Sequence, residues 1–141
     1  MRRLFLSTSM LVMSSLAFAP ASALAAKKVS PKKVSGAVTV SAKKAKQLFD
    51  KGVVFVDVRK DKDYAAGRVP DAVHIELKKV YSKDTLGKVV KPGQAVVIYC
   101  NGHSCLRSSK AAKQAVSWGF NKVYYFRDGF PAWKKSGYPV E

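Results

Sequence analysis

Cys100 and Cys105 are the two cysteines of this chain, and both fall in one short segment, Cys100–Arg107, with Gly102 and His103. Cysteine chemistry belongs to the thiolate, so the question is what would favour the anion there. The preceding residues, Ala95–Tyr99 (AVVIY), form a short apolar, β-branched run that reads as a buried strand. From Ser108 onward, alanines and lysines follow a helical register. A strand end would thus deliver Cys100 onto a loop at a helix N-terminus, where the unpaired amides of the first turn favour negative charge. Arg107 adds a full positive charge. Both effects should lower the cysteine pKa. The expectation is a nucleophilic Cys100 and an anion-binding loop of Asn101, Gly102, His103, Ser104, Cys105 and Leu106, completed by Arg107.

The competing reading of Cys100 is a buried, inert cysteine, since free cysteine packs well in cores. Its position at a strand end, before a glycine-containing loop, favours the nucleophile. Cys105 can be a resolving thiol that pairs with Cys100, or a wall of the pocket; the spacing leaves both open. Cys100, His103 and Cys105 lie within six residues, which matches no common zinc spacing, so no metal is expected. His103 reads as a loop residue and His74 as non-catalytic. Trp118, Tyr124, Tyr125 and Trp133 read as packing groups.

The elements that must hold this loop can be read in chain order. Ala37–Val40 is a short strand. Ser41 is a good N-cap for the helix that follows, ended by Gly52, with Ala42, Ala45, Leu48 and Phe49 able to share a buried side. Val53–Val58 is a near-continuous apolar run, as in a strand covered on both faces. It ends in Asp57-Val58-Arg59, at the end where open α/β sheets bind ligands. Asp61–Ala66 is a short helical turn and Val73–Ile75 a brief strand. Glu76–Gly93 is polar, with one helical turn expected around Tyr81. Ser108–Trp118 is the helix after the loop, Val123–Phe126 a last strand, and Phe130–Ser136 a terminal helix. Alternating strands and helices imply parallel pairing and right-handed crossovers. No internal repeat is present.

The chain has 141 residues, enough for one domain with a real core. Lys plus Arg is 26 against 9 acidic residues, a formal net charge of +17. Such an excess attracts anions or serves solubility. No basic run is interleaved with aromatics, so nucleic acid is not an expected partner. Residues 1–25 have the pattern of a secretory signal peptide: Arg2-Arg3, an apolar Leu4–Ala19, then small residues around Ala21–Ala25. Cleavage after Ala25 fits best, and after Ala23 is the alternative. The apolar stretch is short and broken by serines, unlike a permanent span. The mature protein is expected in the periplasm or secreted, where two nearby cysteines could pair. Residues 26–35 (AKKVSPKKVS) are too polar to pack and read as a basic flexible arm, able at most to make weak contact with an anionic membrane surface. The folded domain is expected over residues 36–141.

Four blocks in order resemble a single-domain rhodanese over Val38–Glu141. They are Asp57-Val58-Arg59; Asp63-Tyr64-Ala65-Ala66-Gly67-Arg68-Val69-Pro70-Asp71-Ala72; the strand Val96–Cys100; and Asp128-Gly129-Phe130-Pro131-Ala132-Trp133 followed by Gly137-Tyr138-Pro139-Val140. The usual family patterns are D-V-R, E-[FY]-x-x-G-H-I-P-G-A and G-G-x-x-A-W…G-x-P-V. Here Asp63 replaces Glu, Arg68 replaces His, Val69 replaces Ile, and Asp71 and Asp128 replace glycines. The usual C-x-x-G-x-R loop has four residues between Cys and Arg; this one has six and looks like the longer C-x-G-x-x-C-x-x-S loops of some rhodanese-like proteins. It also misses the C-x₅-R of a tyrosine phosphatase.

The resemblance implies an α/β fold, a central, mostly parallel five-stranded sheet flanked by helices on both faces. It implies a cysteine that takes a sulfane sulfur from a donor such as thiosulfate, releases sulfite and carries a persulfide to a thiophilic acceptor, with no metal or organic cofactor. Partners would be small sulfur-containing anions and thiol acceptors. Asp57 and Arg59 would be structural support behind the loop. Two other readings compete: a thiol–disulfide or anion-binding module that cycles Cys100 and Cys105 without sulfur transfer, and an inactive domain that only binds a partner.

Overall fold

The structure, a computed structural model, describes residues 28–141; the expected signal peptide lies outside the described residues. In chain order the elements are β1 (Ala37–Thr39), α1 (Ala42–Asp50), β2 (Val54–Asp57), α2 (Asp61–Ala66), β3 (Val73–His74), α3 (Lys83–Val89), β4 (Ala95–Tyr99), α4 (Arg107–Ser117), β5 (Lys122–Phe126) and α5 (Gly129–Lys135). The five strands form one all-parallel sheet in the order β1-β5-β4-β2-β3.

β4 is the central strand, and its side chains alternate between two cores. Val96, Ile98 and Cys100 face Leu86 of α3 and Ala111, Ala112 and Ala115 of α4. Val97 and Tyr99 face Ala45 and Leu48 of α1 and Phe130 and Trp133 of α5. Helices therefore cover both faces, which is why β2 and β4 read as continuous apolar runs. Each fully buried Val or Ile of β4 contributes about 1.5–3 kcal/mol. Six of the seven residues after Ser41 are polar or small, yet α1 forms because Ser41 caps it, accepting from the Lys44 amide at 3.2 Å.

Two expectations are corrected. Glu76–Gly93 contains a full helix, α3, rather than one turn near Tyr81. It is started by a reciprocal cap, in which Ser82 Oγ accepts from the Thr85 amide and Thr85 Oγ1 accepts from the Ser82 amide. Residues 28–35 are also packed, so the arm reading does not hold for them. Ser30 and Val34 are buried. Tyr125 Oη donates to the Pro31 carbonyl at 2.9 Å, Thr39 Oγ1 to Lys32 at 2.8 Å and Arg127 Nη2 to Ser30 at 2.8 Å. The segment is held through its own carbonyls, which its side-chain polarity does not reveal, while Lys28, Lys32 and Lys33 stay exposed.

Register places the site. Tyr99 sits opposite Asp57 on one side and Phe126 on the other. The segments that leave these three strand ends, Val58-Arg59, the loop from Cys100 and Arg127-Asp128, therefore emerge side by side.

Candidate active site

Cys100 is the first residue after β4 and is fully buried, whereas Cys105 is half-buried; the two form a disulfide, with Cα atoms 6.4 Å apart. The pairing that the spacing left open is thus made. A turn in which the Cys105 amide donates to the Gly102 carbonyl at 3.0 Å folds the loop back on itself. Gly102 is in the left-handed region (φ 104°).

The loop is fastened from below. Arg59, 3% exposed, binds Asp57 through Nε and Nη2, the latter at 2.7 Å, and donates from Nη2 to the Gly67 carbonyl at 2.6 Å. Its guanidinium lies 4.5 Å from the Phe130 ring centroid. Burial opposes the Arg59 charge, but the hydrogen bond and charge of Asp57 outweigh it and hold its pKa above the ordinary value. Nη1 of the same guanidinium donates to Asn101 Oδ1 at 3.2 Å, and Asn101 Nδ2 donates to Asp63 Oδ2 at 3.1 Å. The Asp57-Val58-Arg59 and Asp63-Tyr64 blocks thus meet on the first residue after Cys100. His74 belongs to this support, with its Nε2–H donating to the Arg59 carbonyl at 2.9 Å and its ring stacked on Tyr64.

The loop is fastened from above by the segment after β5. The Phe130 amide donates to the Cys100 carbonyl at 2.9 Å. His103 is hydrogen-bonded to Asp128, and the His103 carbonyl accepts from the Ser30 amide at 2.6 Å. Ser104 is exposed and Leu106 half-buried. Asp71 and Asp128, which stand where the family pattern has glycine, differ in demand. Asp71 adopts φ 61°, a conformation Asp tolerates, with its amide held by Glu141. Asp128 is right-handed (φ −66°) and needs no glycine.

Arg107 requires a correction. It is the first residue of α4, and its Nη1 is bound to Glu76 Oε1 at 2.8 Å, with both side chains largely buried. Its charge is therefore countered, and it is not the free cation of the loop. Glu76 was not foreseen, because it lies 31 residues away in a stretch without a clear pattern. The positive character comes instead from lysines. A cleft of about 440 Å³ is lined by Lys60, Asp63, Lys78, Asn101, Ser104, Cys105, Arg107 and Lys110. A neighbouring cleft of about 430 Å³ shares Lys60, Lys78 and Arg107 and adds Lys62, Lys79 paired with Asp61, and Glu76. The N-cap position of α4 is Leu106, which makes no side-chain cap hydrogen bond. Among the described residues, the buried Ser108 hydroxyl of its first turn has no hydrogen-bond partner. An uncapped helix start, surplus lysines and two sulfurs at one strand end make a place that favours small anions and thiolate chemistry.

Comparisons with known proteins place the fold in a family. The Rhodanese-like domain family profile matches residues 41–136. The chain is 31% identical over 102 residues to the thiosulfate sulfurtransferase GlpE of Pseudomonas savastanoi pv. phaseolicola, covering 72% of this chain and 91% of that protein. It is also 31% identical over 102 residues to the tRNA uridine(34) hydroxylase of Buchnera aphidicola, covering 66% of this chain but only 30% of that longer protein. The BH2092 protein of Bacillus halodurans superposes with a TM-score of 0.66 at 27% identity, over 74% of this chain and 77% of that one. From α1 to α5, in sequence and in topology, this chain belongs to the family of rhodanese-like domains.

Proposed function

We propose that the protein is an exported sulfurtransferase that moves sulfane sulfur from a thiosulfate-type donor to a thiophilic acceptor through a persulfide on Cys100. The observation that carries this reading is the placement of Cys100. It directly follows the central strand, is held through Asn101 and Phe130, and opens a loop that leads to an uncapped helix start and a lysine-lined cleft. In the reduced protein the thiolate attacks the outer sulfur of thiosulfate. Sulfite leaves, and the sulfur stays on Cys100. Donor, leaving group and persulfide are all anions, so the loop amides and cleft lysines stabilise them throughout. The similarity to thiosulfate sulfurtransferases supports the reaction class. Export rests on the signal-like pattern of residues 1–25.

Pre-reduced protein mixed with thiosulfate and cyanide should release sulfite and thiocyanate, and Cys100→Ser should release neither. Equal turnover by that variant would refute the assignment. The Cys100–Cys105 bond favours a second reading, a thiol–disulfide module without sulfur transfer. Under that reading the pair would exchange with dithiols but give no sulfite from thiosulfate.

A further inference from the structure

Cys105 matters more than a pocket wall would. Its sulfur is bonded to that of Cys100, so the loop can bring the two atoms together without moving β4. The two differ in access: Cys100 is fully buried, whereas Cys105 is half-buried and lines the lysine-rich cleft. In a Cys100 persulfide the terminal sulfur would project from a buried Sγ. An external thiol cannot approach that inner sulfur, but Cys105 is already within bonding reach of it.

We propose that Cys105 resolves the persulfide, so that the protein reduces sulfane sulfur to free hydrosulfide with a dithiol as the electron source. The proposal rests on the persulfide reading above. The Cys105 sulfur attacks Cys100 Sγ. The Sγ–Sγ bond forms, and the bond from Cys100 Sγ to the terminal sulfur breaks. The electron pair leaves with the terminal sulfur, which takes the Cys105 proton and departs as hydrosulfide. That sulfur gains two electrons, and the two cysteines lose two in becoming the disulfide seen here. A dithiol then attacks Cys105, the accessible sulfur, and Cys100 leaves as a thiolate into the loop. The second thiol of the reductant attacks the mixed disulfide on Cys105 and returns both cysteines reduced. The net reaction converts one thiosulfate and two thiols into sulfite, hydrosulfide, a disulfide and a proton. Proximity favours the internal attack over capture by a dilute acceptor. Lys60, Lys78 and Lys110 beside Cys105 favour an anionic, thiolate-bearing reductant.

The test is a single turnover of the full chain, reduced with dithiothreitol, freed of it without air, and mixed with thiosulfate alone. Sulfite and hydrosulfide should appear in about one-to-one ratio, and the intact mass should fall by two hydrogens as the disulfide closes. Cys105→Ser and Cys105→Ala should instead hold the sulfur, one sulfur atom heavier, with the hydrosulfide-to-sulfite ratio near zero. Sulfite without hydrosulfide from the wild-type protein, with the extra sulfur retained, would overturn the resolving step while leaving the sulfurtransferase reading intact. No sulfite at all would remove that reading and the resolving step with it.

Discussion

Gly129 links the terminal segment to Cys100, and Gly129→Ala tests that link directly. A Cβ at this position would lie 2.3 Å from the Cys100 carbonyl oxygen, 2.8 Å from the Gly102 nitrogen and 3.0 Å from the Cys100 carbonyl carbon. All three are backbone atoms, so nothing can swing aside as a side-chain tip would. The residue also has φ 65°, where an L-side chain costs about 1–2 kcal/mol. Overpacking adds about 1–3 kcal/mol, so the loss should be about 3 kcal/mol unless the loop moves. Gly137→Ala is the control: φ is 74°, but nothing lies within 4 Å, leaving only the conformational cost of about 1–2 kcal/mol. Urea unfolding should separate the two variants by about 2 kcal/mol. If the loop relaxes instead, Cys100 and Gly102 shift, and the sulfite burst from reduced protein should slow by about a hundredfold. Equal stabilities for the two variants, with wild-type bursts from both, would show that the Gly129 contact does not position the loop.

Three further outcomes follow from the same geometry. Arg107→Ala should destabilise by about 3 kcal/mol, because it strands the buried Glu76 carboxylate. Glu76→Gln combined with it should recover part of that loss, and a strictly additive double-mutant cycle would deny the pairing. Reduction of Cys100–Cys105 should lower stability by about 2 kcal/mol on loop-closure grounds, so unchanged urea midpoints with and without reductant would contradict a constraining bond. Burial pushes the Tyr81 and Tyr99 phenols well above their ordinary pKa, with Asp57 adding to the shift at Tyr99. A raised folded-state pKa gives stability that is full below about pH 10 and is lost as pH rises beyond it. A tyrosinate absorbance titration should therefore show Tyr81 and Tyr99 ionising only as the protein unfolds, and their ionisation near pH 10 in the folded protein would contradict their burial.

The sequence by itself determined the features governed by short-range rules. Ser41 announces α1 because its cap bond reaches only three residues. The β4 run announces a two-sided strand because five apolar residues in a row leave no solvent face. Cys100 could be singled out because strand and loop adjoin it in the chain. The family blocks were legible for the same reason, as contiguous strings. α3 was not: it carries Gly87, buries only Leu86, and begins with a Ser–Thr cap rather than the more familiar Ser–Glu pattern.

Tertiary structure alone decided the rest, because each remaining feature depends on groups distant in the chain. The packing of residues 28–35 comes from Tyr125 and Arg127, 94 and 97 residues from their partners in the segment. Arg107 looked like a free cation until the fold set Glu76 against it. Asn101 read as a member of the anion-binding loop, and the fold instead closes Arg59 and Asp63 on its two amide ends. Four residues between the cysteines permit a bond or a gap, and the turn at Gly102–Cys105 selects the bond. Local pattern records what a residue prefers. What it touches is decided by strand order and register, which bring the ends of β2, β4 and β5 to one edge of the sheet.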